Sequence, residues 1–332
     1  MKVLFAAHDA GGANAIAPVV LALKERGIEV IGIASGPAAD IFAKRGITTG
    51  AEKEFAGEAE VYLFGTSAGE TIEKQVFLSV KDRMPSIAVL DYWSNYAERF
   101  SRQDRDLTYM PDRICVMDDI ARAEMLAQEF LPERIVVTGN PHFDHFADEI
   151  THDRENRKRL LFVSQPLSDM ARLPGYVAYP FDEFTVLSDI VAALGGTPVD
   201  YQLAIRLHPK EQGEKYKKML NERVVLAQES TLEQALSGAG LIIGMHSLVL
   251  LQAAAAGKSV ISYEPGLVGP DPLVSNRLGV TRRLSSPVEL ADAFALYAAQ
   301  KLSKGERLMR DVWPAGATER VVEAVLSLGS KK

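Results

Sequence analysis

The sequence is poor in cysteine, in long apolar runs and in excess positive charge. Cys115 is the only cysteine among 332 residues, which excludes an internal disulfide and a multi-cysteine zinc site. We therefore expect a reducing, cytoplasmic setting. The longest apolar candidate, residues 238–245, is only eight residues long, against the roughly 20 that a membrane span needs. The apolar start turns polar at His8, too soon for the core of a signal peptide. We expect a soluble protein, and a peripheral membrane contact stays open.

The charge balance excludes a further class of partner. Lys and Arg total 37 and Asp and Glu total 44, which gives a formal net charge of −7. Because affinity for nucleic acid depends mainly on neutralising phosphates, we expect no nucleic-acid partner. The contents of 47% apolar and 24% charged residues are typical of a globular protein. A chain of 332 residues predicts about two domains.

Short apolar runs alternate with helical segments in both halves of the chain. The runs that predict strands are residues 3–7, 28–34, 61–65, 87–91, 113–117 and 135–139 in the first half, and 160–164, 202–207, 224–227, 241–243 and 259–263 in the second. Strands that alternate with helices are joined by right-handed crossovers into a mainly parallel sheet. The predicted fold is therefore α/β, with two Rossmann-like domains whose mainly parallel sheets face a central cleft.

One charged segment interrupts this alternation. Six of the nine residues in 151–159 are charged, and none is a large apolar residue. We predict a hinge at 151–159 between a domain at 1–150 and a domain at 160–310, followed by a C-terminal helix within 311–332.

Ligands of open α/β sheets bind beyond the carboxyl ends of the strands, so polar residues that directly follow a predicted strand are candidate site residues. In the first half these are His8, Asp9, Gly11, Gly12, Thr66, Ser67, Asp91, Tyr92, Asp118 and Asn140, and in the second half Ser164, Gln165, His208, Pro209, Lys210, Glu229, Ser230, His246, Ser247 and Glu264.

The turn after the first predicted strand contains Gly11 and Gly12. Glycines let a ligand approach the backbone, and the start of a helix offers free N–H groups to an anion. A tight turn that simply needs glycine explains the pair equally well. The Gly-x-Gly-x-x-Gly fingerprint is missing, so an NAD-dependent oxidoreductase loses its main support.

A small basic cluster ends the second strand of the second half. In an extended strand Arg206 and His208 share one face, and Pro209 ends the strand directly after them. Together with Lys210 they could contact a phosphate oxygen, and a histidine can also donate a proton near neutral pH. The alternative is a solvated strand end.

Two hydroxyl-bearing residues begin helices. Ser230 with Glu233 matches a capping box, which we interpret as structural. Ser247 precedes the apolar helix 248–256, where a hydroxyl acts either as an N-cap or as a phosphate ligand. The six histidines form no His-Glu-x-x-His pattern, and neither a nucleophile elbow nor a phosphate loop occurs. We expect no metal and no cofactor.

Three segments carry a resemblance to a known family. They are Val-Thr-Gly-Asn-Pro-His-Phe-Asp at 137–144, Leu-His-Pro-Lys at 207–210, and residues 246–260, with His-Ser-Leu, Gln-Ala and Gly-Lys-Ser-Val. Their order resembles that of GT-B nucleotide-sugar glycosyltransferases: the bacterial capsule, sialyl and Kdo transferases, the CDP-glycerol glycerophosphotransferase group, and the UDP-GlcNAc 2-epimerase relatives.

The resemblance implies a metal-independent transfer of a sugar from a nucleotide donor to a glycan or lipid acceptor, in polysaccharide biosynthesis. The nucleotide would be CMP, CDP or UDP, with a CMP-linked acidic sugar considered first. The resemblance makes His208 and Ser247 ligands of the donor phosphate, with His208 also an acid. Gln252 replaces the family's ribose-binding Glu and Leu248 its second serine. The C-terminal helix is expected to pack back on the first domain.

The acceptor would then bind the first domain, where a carboxylate serves as base. Asp9 and Asp91 both follow strands, and Asp91 ranks second because Trp93 and Tyr96 indicate a partly structural loop. The substrate-binding candidates are His8, Gly11, Gly12, Arg206, Lys210, Ser164, Gln165, His246, Ser247, Gln252 and Glu264. Three alternatives stay open: an epimerase or hydrolase of the nucleotide sugar, a noncatalytic nucleotide-sugar-binding protein (favoured by Leu248 and Gln252), and a two-lobed solute-binding protein, which the missing signal peptide disfavours.

Overall fold

The computed structural model describes residues 1–50, 59–146, 150, 155–173, 178–302 and 312–329. The chain forms two compact units. The first combines Met1–His145 with Trp313–Lys332, and the second is Phe146–Val312. The C-terminal segment therefore belongs to the same unit as the N-terminal half.

The first unit is built on a parallel sheet. Within the described residues its strands are β1 (Lys2–Ala7), β2 (Glu29–Ala34), β3 (Val61–Gly65), β4 (Ser86–Val89), β5 (Arg113–Val116) and β6 (Ile135–Val137). They pair in parallel in the order β2-β1-β3-β4-β5-β6. The central strands are apolar and buried because helices cover both faces of a parallel sheet.

The helices of this half are α1 (Ala10–Glu25), α2 (Pro37–Lys44), α3 (Ile72–Val80), α4 (Tyr96–Phe100), α5 (Asp119–Ala127) and α6 (Pro141–Phe146). The chain leaves β1 for β2 on one side and returns to β3 on the other. The strand order therefore reverses between β1 and β3, which is where ligands of doubly wound sheets bind.

The second unit repeats this architecture. Its strands in the described ranges are β7 (Asn156–Val163), β8 (Gln202–Arg206), β9 (Val224–Leu226), β10 (Ala239–Gly244), β11 (Val260–Tyr263) and β12 (Arg282–Leu284). They form a parallel sheet in the order β12-β11-β10-β7-β8-β9, the doubly wound Rossmann order. Its helices are α7 (Leu167–Met170), α8 (Glu183–Gly195), α9 (Leu232–Gly238), α10 (Leu248–Ala255), α11 (Val274–Arg277) and α12 (Pro287–Ala298).

The last helix, α13 (Ala317–Gly329), packs within the first unit. Val321, Val325 and Leu328 recur at helical spacing and are buried in the core cluster that also contains residues of α1 and β1. α13 lies against α1. None of the helices in the described ranges combines the length and apolar character needed to cross a membrane.

Two details differ from the sequence predictions. Residues 151–154 of the expected hinge lie outside the described residues, whereas Asn156–Val163 forms β7. Residues 156–159 of that segment belong to this strand: the Arg157 guanidinium lies 4.8 Å from the centroid of the Tyr297 ring, and Arg159 Nη2 donates to Glu229 Oε1 at 2.5 Å. These partners let a charged segment form a strand.

The N-cap of α9 is Thr231, whose side chain accepts from the Gln234 N–H at 3.3 Å. The predicted cap at Ser230 was wrong by one residue. The Ser230 hydroxyl instead lies 3.1 Å from Gln234 Oε1.

Candidate functional site

In the second unit the strand order reverses between β7 and β10. Gln165 follows β7, and its Oε1 accepts a hydrogen bond from the His246 main-chain N–H at 3.1 Å, just after β10. This bond ties the two segments together at the topological switch point, where α/β sheets bind ligands. Gln165, His246 and Ser247 thus lie at one edge of the sheet, after β7 and β10.

Ser247 is the N-cap of α10. Its Oγ accepts from the Val249 N–H at 3.3 Å, so the hydroxyl proton can still be donated. Leu248 occupies the first position of the helix and is half-buried. The serine hydroxyl lies at the N-terminus of the helix, an arrangement suited to a phosphate oxygen.

His246 lies against two aromatic rings. The centroid of its ring lies 4.5 Å from that of Tyr179 and 6.2 Å from that of Phe181. The buried Nδ1 of His246 has no hydrogen-bond partner among the described residues. Burial lowers the pKa of His246 to about 4. The imidazole is therefore neutral at physiological pH and adds no positive charge to a phosphate site.

His208 begins the turn after β8. Its Nδ1 accepts from the Lys210 main-chain N–H at 3.2 Å, which places the proton of the neutral ring on Nε2. Burial lowers the pKa of His208, the Glu211 carboxylate opposes this shift, and Lys210 adds to it. The result is a neutral imidazole whose Nε2–H is a hydrogen-bond donor.

The three residues of the predicted basic cluster have different surroundings. The strand ends at Arg206, so the alternation that placed Arg206 and His208 on one face stops there. Arg206 Nη1 donates to the Glu229 carbonyl at 2.5 Å, in the segment after β9. Lys210 is exposed. Arg206 is thus engaged in a structural contact.

Ser164 lies in a buried network. Its hydroxyl donates to Glu211 Oε1 at 2.9 Å and contacts the Tyr216 hydroxyl. It is fully enclosed, although it follows β7 as predicted. Gln252 lies half-buried in α10, the helix that follows β10.

Glu264 follows β11 and is completely buried. Burial, followed by the Asp271 carboxylate, raises the pKa of Glu264 to about 7. Its Oε2 has no hydrogen-bond partner in the described part of the chain and lies 4.0 Å from Arg283 Nε. The predicted substrate ligand is thus an enclosed carboxyl group.

The first unit has a matching connection at its own switch point. The Asp9 main-chain N–H, after β1, donates to Ser67 Oγ, after β3, at 3.3 Å. The Asp9 side chain is 51% exposed. His8 Nδ1 lies 2.8 Å from Ser35 Oγ. Asp9 therefore presents an accessible carboxylate at the edge where a base was expected.

Packing explains Gly11 and Gly12. A Cβ on Gly11 would lie 1.8 Å from Asp91 Oδ2, and a Cβ on Gly12 would lie 3.0 Å from the main-chain nitrogen of Thr66. The helix begins at Ala10, so both glycines lie inside α1 and not in a tight turn before it. Close contacts with other protein groups require a glycine at each position. The glycines also bring the start of α1 close to Asp91.

Asp91 is held in an ion pair that the sequence did not reveal. Its Oδ1 lies 2.6 Å from Arg99 Nη1, which also donates to Thr66 Oγ1 at 2.7 Å. Arg99 comes from α4, and the short spacing Asp91 to Arg99 was the only available signal. Asp91 is therefore engaged, and Asp9 is the more accessible of the two predicted bases.

Lys74 was also missed. It is buried in α3, and its Nζ donates to the carbonyls of Gly69 at 2.7 Å and Glu98 at 3.3 Å. Burial lowers the pKa of Lys74. A lysine on the amphipathic helix α3 gives no sequence signal of burial. Among the described residues, no group of three His, Cys, Asp or Glu side chains could hold a metal ion.

Comparison with solved structures identifies the architecture. A putative UDP-N-acetylglucosamine 2-epimerase from Listeria monocytogenes matches with TM-score 0.69 and 16% identity, over 100% of this chain and 97% of the other. UDP-GlcNAc 2-epimerase from Neisseria meningitidis, bound to UDP-GlcNAc, matches with TM-score 0.65 and 14% identity, over 98% and 100%. The chain has the GT-B fold.

A glycosyltransferase shares this fold as well. The glycotransferase of kitacinnamycin matches with TM-score 0.58 and 14% identity, over 98% of each chain. No protein-family model and no curated protein matches the sequence. The predicted resemblance to GT-B nucleotide-sugar enzymes and UDP-GlcNAc 2-epimerase relatives is confirmed at the level of the fold.

Proposed function

We propose that the protein is an enzyme that acts on a nucleotide-activated sugar and breaks the bond between the anomeric carbon and the nucleotide phosphate. One observation carries the proposal. The switch point of the second sheet collects polar donors around the start of α10, in the fold of an enzyme that binds UDP-GlcNAc.

The second unit would hold the donor. Ser247 Oγ and the first N–H groups of α10 donate to phosphate oxygens. His208 Nε2–H donates to the oxygen that leaves with the nucleotide. The UDP-GlcNAc bound to the Neisseria protein makes UDP the first nucleotide to test, ahead of the CMP that the sequence resemblance placed first.

The proposed chemistry needs no net charge on His208. As the anomeric C–O bond breaks, the electron pair stays on the phosphate oxygen, and the neutral imidazole stabilises the growing negative charge through its Nε2–H. In a transfer reaction a base takes the proton of the acceptor hydroxyl, which attacks the anomeric carbon, and Asp9 is the candidate for this base that the sequence offers first. A glycan or lipid acceptor follows from the sequence resemblance.

Epimerisation of the nucleotide sugar is the second candidate. The epimerase from Listeria gives a TM-score of 0.69, against 0.58 for the glycotransferase. Loss of catalysis is a third candidate, for which Leu248 and Gln252 are the supporting departures. All three share the nucleotide site, so binding is tested first and the reaction second.

A binding panel and a product analysis separate the candidates. The full chain is titrated with UDP, CDP, CMP and GDP by calorimetry, and we expect UDP to bind best. UDP-GlcNAc is then followed by NMR with and without added acceptor glycans. An epimer formed without acceptor shows epimerisation, and UDP released only with acceptor shows transfer. Binding without turnover indicates a noncatalytic protein, and no binding of any nucleotide contradicts the proposal.

Substitutions distinguish binding from chemistry. Ser247→Ala and His208→Ala should each weaken UDP binding by about tenfold, the usual cost of one hydrogen bond to a charged group. Asp9→Asn should leave UDP binding unchanged but lower turnover by at least about a hundredfold. Asp82→Asn, at an exposed position, is the matched control. Unchanged turnover in both Asp9→Asn and His208→Ala would remove these residues from the mechanism.

A further inference from the structure

The turn that carries His208 is closed by a single residue, Glu211. Glu211 accepts the His208 main-chain N–H on Oε2 at 2.8 Å, and the Glu211 N–H donates to the His208 carbonyl at 2.8 Å. Both main-chain polar groups of His208 are therefore bound by one residue. Pro209 has no N–H and a fixed φ, so the turn has little remaining freedom.

The carboxylate that closes the turn is itself fixed. Its Oε1 accepts from Ser164 Oγ at 2.9 Å, from Lys215 Nζ at 2.8 Å and from the Tyr216 hydroxyl at 3.0 Å. Lys215 Nζ also donates to Glu183 Oε1 at 2.5 Å. These donors come from the end of β7 and from the segment after the turn, so they anchor the carboxylate at several points.

Lys215 is the basic group of this network. Burial acts to lower the pKa of Lys215, but the hydrogen bonds to Glu183 and Glu211 outweigh it and raise the pKa of Lys215 above its usual range. The charge of the Glu211 carboxylate is paired with this ammonium ion at 2.8 Å. That charge lies beside His208 and raises its pKa against the effect of burial.

We propose that Glu211 is the positioning residue for His208: it fixes the turn that presents the imidazole Nε2–H to the nucleotide phosphate, and Ser164, Lys215 and Tyr216 hold it in place. The proposal rests on the proposed function for the identity of the ligand. The turn and the ring orientation are properties of the chain alone.

Two variants separate the geometry from the charge. Glu211→Gln keeps an oxygen that can accept the His208 N–H but removes the charge, so the ring keeps its tautomer and titrates at lower pH. Glu211→Ala removes both, which releases the turn and mixes the two neutral tautomers of His208. Glu214→Gln is the matched control, because Glu214 is exposed and pairs only with Lys217 in the described contacts.

The first measurement is NMR of the full chain labelled in histidine, with His208 assigned by loss of its signal in His208→Ala. We expect the Nε2–H tautomer in the wild type, in Glu211→Gln and in Glu214→Gln, and a mixture in Glu211→Ala. An unchanged tautomer and an unchanged titration midpoint in both Glu211 variants would overturn the proposal. This readout does not require any nucleotide to bind.

The second measurement is UDP binding by calorimetry. Glu211→Ala should lose about tenfold in affinity, as should His208→Ala, and the double variant should lose no more than either single variant, because both remove one interaction. Fully additive losses would overturn the positioning role. If UDP fails to bind even the wild type, the proposed function fails and the NMR result still decides the role of Glu211.

Discussion

At the scale of a single residue, Glu264 is a buried carboxyl group whose protonation depends on its surroundings. Ser262 Oγ lies 2.7 Å from the Met245 carbonyl, 2.9 Å from Asn276 Nδ2 and 2.9 Å from Glu264 Oε1. The Ser262 hydroxyl donates to Glu264 Oε1, which acts to lower the pKa of Glu264. Burial outweighs this hydrogen bond and raises the pKa of Glu264 to about 7, so the carboxyl group is protonated below that pH.

This protonation predicts how stability depends on pH. The folded pKa is about 7 and the ordinary value is 4.5, so the stabilising contribution is complete below about pH 4.5 and is lost as the pH rises toward about 7. The corresponding free energy is roughly 3 kcal/mol. In Glu264→Gln an amide N–H replaces the carboxyl proton, so the contribution should no longer vary with pH.

The measurement is urea unfolding of wild type and Glu264→Gln between pH 5 and 8. As the pH rises, the free energy of unfolding of Glu264→Gln should increase relative to that of the wild type. Glu222→Gln, at an exposed position of the same unit, should follow the wild type throughout. Parallel curves for Glu264→Gln and wild type would show that Glu264 is ionised in the folded state.

Several residues chosen from the sequence by their place after a strand are structural. Asp118 accepts from the indole N–H groups of Trp93 at 2.9 Å and Trp313 at 3.3 Å, and it caps α5. Trp93 and Trp313 stack at 5.2 Å. The sequence places Asp118 at the correct edge of the sheet. Its partner Trp313 lies 195 residues further along the chain, so no local sequence pattern reveals it.

At the scale of an element, α13 begins on a carboxylate from another segment. Asp144 accepts the N–H groups of Gly316 at 3.1 Å, Ala317 at 3.2 Å and Thr318 at 2.7 Å. These are N–H groups that a helix start cannot satisfy internally. The Asp of the 137–144 motif thus serves to attach the C-terminal helix to the first unit.

Removal of that carboxylate should weaken the first unit. We expect Asp144→Ala to lower the free energy of unfolding by about 2 kcal/mol, since three N–H groups lose their acceptor. Asp144→Asn should cost less, because the amide oxygen still accepts. Thermal unfolding checks both, with exposed Asp82→Ala as the control. If Asp144→Ala unfolds like the control, water satisfies the start of α13 equally well.

Element prediction succeeded where burial determines the pattern. Eleven of the strands were predicted because parallel strands covered on both faces are short apolar runs. The twelfth, β12, reads Arg-Arg-Leu and gave no such signal. Its pairing with β11 supplies the stability that its own residues do not indicate. The cap of α9 was missed by one residue because Ser230 and Thr231 are adjacent and both are residue types that cap helices.

At the scale of the molecule, each unit has a polar contact between the two segments that follow the paired strands of its switch point. The contact is between Asp9 and Ser67 in the first unit and between Gln165 and His246 in the second. The fold and the edge that bears the candidate site follow from strand order alone. Which side chains at that edge are free to bind depends on remote partners such as Glu229 for Arg206, so sequence could not separate them.

The location of the nucleotide is therefore best tested on the whole chain by hydrogen exchange. Bound phosphate would hydrogen-bond the first N–H groups of α10 and stabilise the turn at His208. Hydrogen exchange should therefore slow most in peptides covering residues 205–211 and 244–250. With UDP at ten times its dissociation constant, local opening that requires release of the ligand should slow by about tenfold. Ser247→Ala should reduce this protection at the same UDP concentration, whereas Asp82→Asn should retain it. The strongest protection in peptides of the first unit, around residues 7–12 and 65–70, would instead place the nucleotide at the switch point beside Asp9.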